Sequence, residues 1–73
     1  MENLFVTQLA VNGEAVEFAV RFEDETYLFQ PTGIDLADIK IKREGETWVT
    51  VGQEGELSKM AIAKLEAFLL SQH

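Results

Sequence analysis

The chain contains no cysteine, a single proline, a single histidine and only six basic residues against thirteen acids. Zero cysteines exclude a disulfide staple and fit a reducing compartment. The one imidazole, His73, leaves no histidine pair for a metal and no base for a Ser/His/Asp arrangement, so neither metal nor cofactor is expected and the chain reads as non-enzymatic. Met1-Glu2-Asn3 lacks the basic and apolar regions of an export signal, and no apolar run approaches the length of a bilayer span. A cytoplasmic protein without membrane association is the expectation. Gly52 and Gly55 lack the lysine and the strand-to-helix setting of a phosphate-binding loop.

Size sets the next bound. Surface scaling for 8.2 kDa gives about 4,500 Å² exposed when folded against about 11,900 Å² unfolded, so roughly 60% is buried. Residues 1–73 read as one small domain with a thin core, and with no disulfide and no metal the remaining source of added stability is a second subunit.

The net charge of -7 is uneven. Residues 1–38 hold eight acids against Arg21 alone, whereas residues 39–73 carry five acids and five bases. Acidity of this kind keeps a small protein from indiscriminate association, or forms a surface for a basic partner. It disfavours nucleic acid, whose affinity depends on neutralising phosphate.

What the chain does have is strand alternation. Asn12-Gly13 favours a tight hairpin because both residues tolerate positive φ, and folding the flanks together sets Leu9 opposite Val16, Thr7 opposite Phe18 and Phe5 opposite Val20. Strands are expected over about 4–11 and 14–23, then over 26–30 after a two- or four-residue loop that pairs Phe22 with Tyr27 and Val20 with Phe29. Pro31 removes a ladder donor and ends the third strand. Residues 31–38 read as an irregular crossing anchored by Ile34 and Leu36.

The fourth and fifth strands, 39–43 and 46–51, flank Glu44-Gly45. A three-residue loop groups Ile39, Ile41, Val49 and Val51 inward and leaves Trp48 outward with Lys40 and Lys42; it separates polarity better than a two-residue loop. After a polar connector at 52–56, Ser58 is the expected cap of a helix running to about Ser71, with Leu57 and Ile62 spaced as a hydrophobic staple. Ala61, Ile62, Leu65, Phe68 and Leu69 form its apolar stripe. The expected core is Phe5, Leu9, Val16, Phe18, Val20, Phe22, Tyr27, Phe29, Ile39, Ile41, Val49, Val51, Ile62, Leu65, Phe68 and Leu69. The fold class is therefore α+β: a curved antiparallel meander of about five strands with one C-terminal helix on its concave face.

Chemistry-bearing groups are few. Glu23, Asp24 and Glu25 at a loop tip, and Asp35 with Asp38 beside the crossing, lack the spacing of a calcium loop and read as solvated. Lys40, Lys42 and Trp48, with Arg43 near, form a cationic aromatic patch that reads best as a ring shielded by lysine stems. The outer sheet face is the candidate interaction surface: Leu4 and Leu28 on either side of Arg21, Val6 opposite Ala19, and Trp48 beyond, ringed by Gln8, Glu17 and Gln30. The expected function is a small protein-interaction module whose partner is another protein or a second copy. The alternatives are an acidic decoy that occupies a basic groove, and a small ligand-binding protein with a pocket near Tyr27 and Asp38.

Overall fold

Asn12 and Gly13 hold φ of 52° and 82°, the left-handed pair that a two-residue hairpin turn requires. This computed structural model describes residues 2–51 and 55–72; connector residues 52–54 and His73 lie outside the described residues. The turn joins β1 (Glu2–Val11) to β2 (Glu14–Glu23). Leu9 faces Val16, Thr7 faces Phe18 and Phe5 faces Val20, as the alternation dictates.

A second tight turn, Asp24-Glu25, leads into β3 (Thr26–Pro31) and pairs Phe22 with Tyr27 and Val20 with Phe29. The loop is thus the two-residue one, and both its residues adopt positive φ, 51° and 60°, without a glycine. Residues 32–38 form the irregular crossing. Two bonds from Thr32 pin its start to β2, the backbone N–H donating to the Glu17 carbonyl at 3.1 Å and the hydroxyl to Glu17 Oε2 at 2.9 Å. Leu36 packs against the core, but Ile34 is exposed and anchors nothing.

β4 (Ile39–Glu44) pairs with β3, and β5 (Thr47–Val51) closes an antiparallel sheet of order β1-β2-β3-β4-β5. Here the structure overturns one expectation. The β4–β5 turn has two residues, Gly45-Glu46, so Glu44 faces Thr47, Arg43 faces Trp48 and Lys42 faces Val49. Gly45, at φ 64°, supplies the left-handed first position. Moving the register by one residue exchanges the faces of a strand: Trp48 now shares the face of Ile41, and Val49 and Val51 leave the expected core for the face of the lysines. The physical reason is tertiary. Turned inward, Trp48 meets Tyr27 edge-on at 5.9 Å and donates its indole N–H to Glu66 Oε2 at 3.2 Å.

α1 (Glu56–Leu70) follows, giving five antiparallel strands and one C-terminal helix in contact with the sheet, an α+β fold. Its cap is Gly55, not Ser58. Ser58 lies inside the first turn and is buried, on one stripe with Ala61 and Leu65. The earlier start lets Leu57 and Met60 pack against the core as well.

Between helix and sheet, Phe18, Phe29, Ile39, Ile41 and Leu65 are fully buried and fill the interior. The helix backbone comes within 8 Å of both β1 and β4, with Phe18, Val20 and Phe29 of the intervening strands in the shared core. Exposed surface totals 4833 Å², close to the value expected from mass.

Candidate interaction face

Opposed residues of an antiparallel pair share a face, so the registers read as rows across the sheet. The central outer row is Asn3, Arg21, Leu28, Lys40 and Val51. Beside it lies Glu23, Thr26, Lys42 and Val49, and on the other side Val6, Ala19 and Gln30. Strands spaced at about 4.8 Å make the central row roughly 19 Å long. α1 packs on the opposite face, with Ala61 and Leu65 in the core.

Four of the six residues expected on this surface are there: Val6, Ala19, Arg21 and Leu28. Leu4 is not. Asn3 faces Arg21 and Phe5 faces Val20, which leaves Leu4 as the extra residue of a β-bulge, and its side chain packs against the core cluster. Trp48 is not there either, because the two-residue turn places it on the helix side. Conversely, Val49 and Val51 belong to this face and not to the expected core; the signal that points to them is the Gly45-Glu46 dipeptide, which suits a two-residue turn.

The face is balanced where the molecule as a whole is acidic, with Glu17, Glu23 and Glu44 at its margin and the bases at its centre. Three of the six bases, Arg21, Lys40 and Lys42, surround Leu28. Arg21 is half-buried, whereas Lys40 and Lys42 are exposed. Among the described residues, neither lysine forms an ion pair or a side-chain hydrogen bond. Glu17 is bonded by Thr32, and Gln30 donates to Asp38 Oδ2 at 3.2 Å. Val51 is 50% exposed.

Among the described residues, open grooves lie both on this face and away from it. One, of about 350 Å³, is lined by Arg43, Trp48, Glu66, Leu69 and Leu70; within it the Arg43 guanidinium lies 4.6 Å from the centre of the Trp48 ring and donates its Nε–H to the Gly45 carbonyl. Another, of about 330 Å³, follows the bulge between Asn3 and Val6 and the facing residues 19–21. A third, of about 340 Å³, lies between the first hairpin turn and the start of α1.

No family model, curated protein or solved structure matches this chain. Among the described residues, no group of His, Cys, Asp and Glu is placed to hold a metal ion, and no helix is long and apolar enough to cross a membrane.

Proposed function

We propose that this chain is a non-enzymatic protein-interaction module, and that its outer sheet face docks a partner segment bearing both carboxylates and apolar side chains. The observation that carries this reading is the row Arg21, Leu28, Lys40 and Val51 with Lys42 adjacent: an apolar strip bordered by cations on a chain of charge -7. Lys40 and Lys42, exposed and without an internal partner among the described residues, add orientation and encounter rate when a complementary charge arrives, while Leu28, Val49 and Val51 supply apolar area. An isologous contact centred on Leu28 would bring the bases around it close to those of the second copy, so a partner of different sequence fits this strip better.

The test is a titration followed by backbone amide shifts. A peptide alternating glutamate with leucine and valine should perturb residues on β2, β3 and β4 around Leu28, and the lysine-for-glutamate peptide should not. Raising the salt concentration should weaken the effect, and Leu28→Glu or Lys40→Glu should abolish it. Equal response to both peptides, or an unchanged response in Leu28→Glu, removes the reading.

The acidity of residues 1–38 supports a second reading, the decoy for a basic groove. It predicts the reverse preference, with the basic peptide perturbing residues 23–25 and 35–38.

A further inference from the structure

β1 stands first in the sheet order, so one of its sides has no strand partner within the sheet. It is ten residues long, while β5 at the opposite edge has five. Edge strands are normally blunted by shortness, lysine, proline or a bulge, because a row of unpaired N–H and C=O groups templates another strand. β1 has only the bulge at Leu4. From Phe5 to Val11 its register with β2 is continuous and it contains neither proline nor charge. On the outer side of this stretch Val6, Gln8 and Ala10 are exposed, Val6 by 61%.

We propose that β1 pairs with β1 of a second copy of this chain, antiparallel about a two-fold axis at Gln8, so that two sheets become one. This does not rest on the role of the outer face. Symmetry and charge together select the occupant. A strand edge running antiparallel to its own copy satisfies both sets of backbone groups through one isologous contact. The bulge ends the regular stretch on one side and the hairpin turn ends it on the other, and the midpoint of residues 5–11 is Gln8.

That centre sets Phe5 opposite Val11, Val6 opposite Ala10 and Thr7 opposite Leu9, with Gln8 opposite itself. Every pair joins residues of equal parity, so helix-side residues meet helix-side residues and outer ones meet outer ones. Copies that each carry -7 must touch where charge is absent, and residues 3–13 have none. The pairing also covers Val6, the most exposed large apolar residue of the sheet.

Sedimentation equilibrium of the full chain, up to millimolar concentration, should give twice the 8.2 kDa chain mass, with association tightening as salt screens the repulsion between acidic copies. Val6→Lys with Ala10→Lys places like charges in both outer pairs and should weaken dimerisation by about tenfold or more. Val6→Lys with Ala10→Glu places opposite charges in the same pairs and should restore it. A wild type that stays at single mass, or a double-lysine variant as dimeric as the wild type, overturns the proposal. So does a Lys/Glu variant that folds but fails to recover the dimer. If the double-lysine chain does not fold, hydrogen exchange on the wild type decides: the amides of Val6, Gln8 and Ala10, which alternate with those bonded to β2, must lose protection on dilution, and protection of these three independent of concentration overturns the pairing. These outcomes are separable from those of the peptide titration, which weakens with salt instead of strengthening.

Discussion

The ring of Phe5 stacks on that of Phe68, with centroids 4.3 Å apart and planes at 18°, and Phe5 also presents itself edge-on to Phe29 at 6.4 Å. One aromatic of the first strand thus joins the last two turns of the helix to the middle of the sheet. Phe68→Ala should destabilise the chain by about 2–4 kcal/mol, since it removes a half-buried ring and its stacking partner's cover. Urea unfolding followed by circular dichroism measures it, and a loss below about 0.5 kcal/mol would mean the stack does not hold the helix.

The Asp24-Glu25 turn carries two left-handed residues where glycine is usual. A side chain in that region costs about 1–2 kcal/mol, part of which glycine returns as flexibility of the unfolded chain. Glu25→Gly should therefore raise stability by about 0.5–1 kcal/mol, visible as a higher melting temperature. Gly13→Ala, at φ 82°, should lower it by a similar amount.

Gly55 precedes the helix at φ 103° and ψ -148° and makes no side-chain cap. Replacing a capping glycine by aspartate ordinarily stabilises a helix, but this backbone region is essentially confined to glycine and costs other residues about 1–3 kcal/mol. Gly55→Asp should accordingly destabilise. Thermal unfolding of that variant beside the wild type reads the sign directly.

Trp48 and Glu66 are joined by an indole hydrogen bond at an exposed position. Glu66→Gln keeps the acceptor and should move stability by less than about 0.5 kcal/mol, whereas Trp48→Ala also loses the contacts with Tyr27 and Arg43 and should cost about 2–3 kcal/mol. Chemical denaturation of both variants separates the contribution of the bond from that of the ring.

Most of the sheet was legible because β1, β2 and β3 alternate apolar and polar residues, and one register satisfies all of them together. Asn12-Gly13 fixed the first pairing, and Phe22 opposite Tyr27 followed from parity alone. The faces of β5 were not legible. Local polarity favours Val49 and Val51 inward, but the indole of Trp48 finds Tyr27, Arg43 and Glu66 on the helix side, and two of those partners lie outside the β4–β5 hairpin. Edge position lets the valines stay outside without leaving the core unfilled. Leu4 was misplaced for a related reason, since a bulge inserts one residue without altering the alternation that surrounds it. Ser58 has the chemistry of a cap, yet it lies on the stripe that touches the sheet, and burial on that stripe decided its role. Of the candidate surface, the part on β1–β3 beyond the bulge at Leu4 could be read and the contribution of β5 could not.

Every strand of this meander lies beside the one made just before it. Hairpins of this kind close early, through short-range contacts, while the greasy side of the finished sheet stays without a roof until the helix arrives. During synthesis Phe5, Phe18 and Phe29 therefore wait in water for Leu65 and Phe68 to leave the ribosome, and this interval is when a nascent chain is most exposed to aggregation or to capture by a chaperone.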